Sequence, residues 1–198
     1  MSLISNTIRA ELVRACTAPD RHYHNLEHIE ALLGLARQHA DALSDGEAVE
    51  AAVWFHDAVY DTRRHDNEAK SAELATERLR GLANVDRIDC IATMIRATAG
   101  HKLPSFSDDG AKRDCALFLD MDLAILGSAP AAFDAYEAAV RREYAWAPEP
   151  LWIEGRRKVL ESFLARPAIY ASPQFRASHE AIARRNLARS LAALAERT

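Results

Sequence analysis

Imidazole and carboxylate groups fall into four short clusters along the chain: Tyr23-His24-Asn25-Leu26-Glu27-His28, then His56-Asp57, then Asp61, then Asp120-Met121-Asp122. The segments around them otherwise read as buried helix. Histidine nitrogen and carboxylate oxygen are both ligands for divalent metals. Buried without a partner, such groups carry a large desolvation cost. A metal ion is the most direct single partner for several of them at once.

Helical phase indicates which of these groups face inward. Val49, Ala52, Val53, His56, Asp57 and Tyr60 follow an i, i+3, i+4, i+7, i+8, i+11 series, one stripe of an α-helix. A lone core histidine is most often just a satisfied hydrogen-bonding residue. An aspartate beside it on the same stripe weakens that reading, because carboxylates are seldom buried without compensation. His24 and His28 stand at i and i+4, which on a helix is one face and about 6 Å along the axis. His28 also aligns with Leu32 and Leu35, which turns it inward, while His24 sits at the helix start and could reach a cleft. Asp122 shares a stripe with Phe118, Met121 and Ile125, whereas Asp120 lies at its margin with Leu117 and Ala124. Asp122 is thus the better ligand candidate, and Asp120 the better hydrogen-bonding support.

The elements that must position these groups are helical throughout, since no segment shows period-two alternation. A first helix spans residues 5–16 and stops before Pro19. A second begins near His24 or Asn25 and runs to about Ala42. A third is introduced by Ser44-Asp45-Gly46-Glu47, which has the form of a capping box, and continues through His56-Asp57. Residues 61–66 are polar and read as a loop, followed by helices over 68–80 and 85–97. Residues 100–109, with Pro104 and several serines, form the longest loop and could overhang a site. A helix over 111–126 closes at Gly127, in the position of a C′ glycine. Three more begin near Pro130, Glu149 and Pro173, two of them with proline in the first turn. The expectation is one all-α domain over 1–198, a bundle of about eight helices. Its metal-site core covers about 20–127, with the helices of 128–198 packed on it.

Composition narrows the function. The chain has 198 residues, 49% hydrophobic, with a net charge of −4 and no long basic tract, which disfavours nucleic-acid polymers but not a small phosphorylated substrate. No run approaches the ~18 consecutive apolar residues of a membrane helix. No signal-peptide pattern opens the chain. Cys16, Cys90 and Cys115 are scattered among apolar residues, which suits free buried thiols in a reducing cytoplasm better than disulfides.

In this order the clusters resemble the HD-domain superfamily of metal-dependent phosphohydrolases. Its pattern of His, His-Asp and Asp on separate helices of an all-α bundle matches His28, His56-Asp57 and Asp122. Tyr23-His24-Asn25-x-x-His28 is similar to the Tyr-His-Asn-x-x-His motif of the cyclic-nucleotide phosphodiesterases in that superfamily. Met121-Asp122-Leu123 is similar to the Ala-Asp-Leu around their last metal ligand. A second histidine that follows His-Asp there is replaced here by Tyr60 and Asp61, so a cyclic-nucleotide substrate is not implied. The whole chain, including Arg141-Arg142-Glu143-Tyr144 and Ala183-Arg184-Arg185-Asn186-Leu187, resembles bacterial proteins described only as predicted HD phosphohydrolases.

The resemblance implies one divalent ion (Mn, Ni, Mg, Co, Fe or Zn) held by His28, His56, Asp57 and Asp122. It implies hydrolysis of a nucleotide-like or other small phosphorylated metabolite, in the cytoplasm, by a chain with scope to form a homo-oligomer. His24 would protonate the leaving oxygen, and Asp61, about one turn beyond Asp57, would orient or deprotonate the attacking water. Arg21, Lys102, Arg141 and Arg142 are candidates to clamp phosphate, each also readable as an ordinary surface charge. Asn67-Glu68 could be a supporting acid or simply a helix start. His22, His39 and His179 read as local structural residues. Two readings from other classes stay open: a di-iron oxygenase, which needs His65 and His101 as further ligands, and a silent sensor that binds metal or nucleotide without turnover.

Overall fold

The computed structural model describes residues 3–197. Among these, nine α-helices and two short 3₁₀ helices account for the regular structure, and there is no strand, so the fold is the expected all-α bundle. The helices are α1 (Asn6–Cys16), α2 (Leu26–Gln38), α3 (Gly46–Phe55), α4 (Asn67–Leu79), α5 (Val85–Ala97), α6 (Asp109–Asp122), α7 (Pro130–Glu143), α8 (Glu149–Leu164) and α9 (Pro173–Ala195). No single helix among the described residues is long and apolar enough to cross a membrane. Packing divides the chain into two compact units, the first ending at Asp122 and the second beginning at Leu123.

α3 is the axis of the first unit. It packs on α1, α2, α4, α5 and α6, and Ala48, Val49 and every residue from Ala51 to Phe55 are buried. Its three buried alanines, Ala48, Ala51 and Ala52, let neighbouring helices approach closely. The helix is thus apolar on nearly all faces rather than along one stripe, as a central helix must be. It also ends earlier than expected. Phe55 is its last residue, His56 is the C-cap, and Tyr60 lies outside the helix.

The start of α3 departs from the expected capping box as well. The cap is Asp45, not Ser44, and its carboxylate accepts the Ala48 N–H at 3.0 Å. Glu47 does not fold back to complete a box; it pairs with Arg87 of α5, which also grips Asp45. The N–H groups of Ser44 and Asp45 are bound instead by the buried carboxylate of Asp114 on α6, at 2.8 and 2.7 Å. α3 and α6 are clamped there at their N-terminal ends, so their C-terminal ends, carrying His56-Asp57 and Asp122, are delivered to one place.

In the second unit the 3₁₀ helix Leu123–Gly127 packs on α7 and α9, and α8 packs on α9. Gly127 is required by close approach rather than by a left-handed turn. A Cβ there would meet His179 Cβ at 2.6 Å and its Cα at 3.0 Å. Asn186, buried on α9, donates to the Leu126 and Ser128 carbonyls on either side, both at 2.9 Å. Ser172 caps α9 through the Phe175 N–H, as its place before Pro173 suggests.

Two substitutions test these joints by chemical denaturation. Asp114→Ala removes the shared acceptor of two part-buried N–H groups and should cost roughly 1–3 kcal/mol in all. Gly127→Ala overpacks the contact with His179 and should cost about 1–3 kcal/mol. Wild-type stability in either variant would remove that joint from the account.

Candidate metal centre

Each proposed ligand is set by the end of a helix. Asn25 caps α2, its Oδ1 accepting the Glu27 and His28 N–H groups at 2.9 and 3.3 Å, so His28 is fixed in the first turn. His56 and Asp57 leave the end of α3. The turn they begin is held by Arg21, whose guanidinium donates to the carbonyls of Asp57 at 2.6 Å and Ala58 at 3.2 Å. The same guanidinium donates to the His24 carbonyl at 3.1 Å and lies over the Tyr60 ring. From α4, the Ser71 hydroxyl accepts the Val59 N–H at 3.0 Å. Asp122 is the last residue of α6, after which the chain tightens into 3₁₀ geometry.

The four side chains converge. His28 Nε2 and His56 Nε2 are 3.2 Å apart. Asp122 Oδ1 is 3.1 Å from the first and 3.5 Å from the second. Asp57 Oδ2 is 3.1 Å from His56 Nε2 and 3.8 Å from His28 Nε2. Ligands of one ion with bonds of about 2.1 Å sit about 3.0 Å apart at a right angle and about 3.4 Å apart at the tetrahedral angle. The distances among His28, His56 and Asp122 therefore suit donors around a common centre. His28, His56 and Asp122 bring ligand atoms within 4.8 Å of one another, a group that could hold a metal ion; Asp57 lies outside that group, against the two imidazoles.

Two further observations test that fit. His56 Nδ1 lies 2.9 Å from the Val53 carbonyl, which can only accept. Nδ1 thus carries a proton, which leaves Nε2 as the nitrogen that would coordinate a metal, the ion replacing the Nε2 proton. Asp57 Oδ2 is buried with no hydrogen-bond partner among the described residues, although it faces both imidazoles. A buried carboxylate oxygen in that condition calls for a cation.

Charge points the same way. Burial alone disfavours the imidazolium of His56, yet the Asp57 and Asp122 carboxylates outweigh it and hold the group well above its ordinary value of 6.5. Burial likewise opposes ionisation of Asp57 and Asp122, but His56 beside them, with His24 and His28 acting on Asp57 and His101 and His28 on Asp122, holds both far below the ordinary carboxylate range. Two firmly ionised carboxylates in a space this dry favour positive charge between them.

The other candidates are placed as follows. His24 precedes the Asn25 cap rather than sharing a helix with His28. Its ring stacks on Tyr60 at 4.5 Å between centroids and lies 6.0 Å from the ring of His28. Asp61 is exposed, and its Oδ1 accepts the Arg63 N–H at 2.9 Å, while Asn67 bonds its backbone N–H and carbonyl. Asp120 is buried, but two positions from Asp122 it points round the far side of α6 and lies outside the ligand group. Arg21, weighed as a surface charge or phosphate clamp, is neither: it is buried and its donors are spent on carbonyls. Arg141 is committed to the Tyr144 carbonyl and to Glu149, whereas Lys102, Arg142 and His65 are exposed. The interaction least visible in the sequence is that of His101, whose Nε2 lies 2.7 Å from Asp122 Oδ2.

Compared with known proteins, the chain matches no family model, no curated protein and no solved structure.

A metal at this cluster predicts a linked gain in stability. At a free-ion concentration about a hundred times Kd, binding to the folded chain alone adds about 2.7 kcal/mol. Melting with Mn²⁺ or Zn²⁺, set against melting with a chelator, should show this gain in the wild type and lose it in His56→Ala and Asp122→Ala. Equal responses from all three proteins would place metal binding elsewhere.

Proposed function

We propose that this chain is a metal-dependent phosphohydrolase acting on a small nucleotide-like or other phosphorylated metabolite. The observation that supports it is the meeting of two imidazoles and two carboxylates from three helix ends, one carboxylate oxygen buried and unpartnered. His28, His56, Asp57 and Asp122 would hold one divalent ion, which supplies Lewis acidity toward a phosphoryl oxygen and toward water. Two neutral and two anionic ligands leave coordination sites open on a six-coordinate ion.

The remaining roles fall to residues at the edge of the cluster. His24, stacked on Tyr60 and half-buried, would carry the proton given to the departing oxygen, a contribution of roughly 10²–10⁴-fold. Arg21 would keep His24 in register with the ligands, because one guanidinium binds the backbone of both His24 and Asp57. Asp61 would act on water only after releasing the Arg63 N–H, which makes its share the smaller. The oxygenase reading asks for His65 and His101 as ligands, but His65 is exposed and His101 is engaged with Asp122. The hydrolase reading is the one the geometry favours.

The test is phosphate release from a panel of nucleotides and phosphorylated metabolites, each with Mn²⁺, Ni²⁺, Co²⁺, Mg²⁺, Fe²⁺ and Zn²⁺. Turnover should vanish with a chelator and in Asp57→Ala. In His24→Ala it should fall about 10²–10⁴-fold with metal affinity intact. Metal binding without turnover on any substrate would favour a sensor instead.

A further inference from the structure

Asp122 presents its two oxygens to different partners. Oδ1 faces the imidazoles of His28 and His56 at 3.1 and 3.5 Å, while Oδ2 receives His101 Nε2 at 2.7 Å. That second distance is short for a nitrogen donor and belongs to the charge-assisted class, in which an ionised carboxylate accepts the proton. A carboxylate held by one oxygen cannot rotate to offer both to a single ion.

His101 reaches this position at a conformational cost. It is the one non-glycine residue with positive φ among the described residues, at 45°. A β-carbon is disfavoured there, and residues of this kind persist where the surroundings over-determine them. α5 has just ended: the Thr98 hydroxyl turns back on the Ile95 carbonyl at 2.7 Å, and the Ala99 and Gly100 N–H groups follow with bonds to Arg96 and Ala97. The chain passes over the flexible Gly100 and puts the left-handed turn on His101, whose ring lands on Asp122. The bond spans α5, the loop after it and the last residue of α6.

We propose that His101 is a positioning residue, which holds Asp122 as a one-oxygen metal ligand and thereby couples the loop over residues 101–108 to metal affinity. This rests on the reading of His28, His56, Asp57 and Asp122 as a metal site. Partners of this type, one bond removed from the metal, typically change affinity by about 10–100-fold when removed. The coupling is reciprocal, so a bound metal should also order the loop through His101.

The experiment measures Mn²⁺ affinity and stoichiometry by calorimetry on the full chain, with the melting temperature of each metal-free protein alongside. His101→Gly removes the ring and also relieves the left-handed backbone, which offsets part of the lost bond, so the metal-free protein should still unfold in one cooperative transition. Its Mn²⁺ affinity should fall about 10–100-fold with stoichiometry still one per chain. His101→Gln retains an N–H donor of similar reach and should recover most of the loss. In Co²⁺-loaded protein the visible spectrum should change in His101→Gly and return in His101→Gln. Unchanged affinity in His101→Gly would overturn the proposal while leaving the metal site standing. Loss of a second equivalent of metal would also overturn it, by making His101 a ligand. A wild-type chain that binds no divalent ion would overturn both readings together.

Discussion

Each of two imidazole nitrogens, on His28 and His56, lies within 3.8 Å of carboxylate oxygens from both Asp57 and Asp122, in a space where the histidine side chains are 2–3% exposed. Ionised carboxylates so nearly shut off from water are held together only if positive charge stands between them. A proton on His56 meets part of that demand, and a divalent cation meets more of it while leaving the imidazole lone pairs in use. Much of the first unit can be understood as the scaffold that brings these four groups to one point against their repulsion. Asp114 clamps α3 to α6, Asn25 fixes the first turn of α2, and Ser71 fastens the turn after His56-Asp57.

Arg21 shows how that scaffold avoids competing with the site it builds. A buried guanidinium this near the backbone of a proposed ligand could form an ion pair and consume it. Here its donors go to the carbonyls of His24, Asp57 and Ala58, and its face goes to Tyr60. The carboxylate oxygens stay directed at the imidazoles. Because one side chain joins His24 to the end of α3, the proposed proton donor and two of the proposed ligands move as a unit.

The sequence disclosed the helices and the inward groups more readily than the reasons for their placement. Phase was sound for α2, which keeps one wet face, but α6 is buried without a break from Asp114 to Met121, so a stripe alone could not separate Asp120 from Asp122, although Asp122 is the one that joins the ligand group. Phase was right about His56 for an incomplete reason: α3 is buried all round, so a single stripe could not orient it, and the helix stops before His56-Asp57. Arg21 and His101 were legible only as residue types. Their roles depend on carbonyls and a carboxylate at sequence separations of 36 and 21, which no local pattern encodes. Gly127 was recognisable as a special position, but a glycine chosen for close approach looks in sequence like one chosen for a turn.

Burial within the cluster is uneven, and the unevenness bears on how the proposed chemistry would proceed. The carboxylates of Asp57 and Asp122 are 15% and 11% exposed, against 3% and 2% for His28 and His56. The carboxylate side chains are the more accessible of the four, so an approaching molecule would meet them before the imidazoles. An incoming phosphate would meet negative charge first. That favours substrates that arrive with their own cation or that engage the bound ion directly. Half-buried groups next to the cluster include His24, stacked on Tyr60, and His101, bonded to Asp122. In the proposed chemistry, selection among phosphorylated molecules would then fall partly to the loop that carries His101, because that loop is joined to Asp122 by the His101 bond.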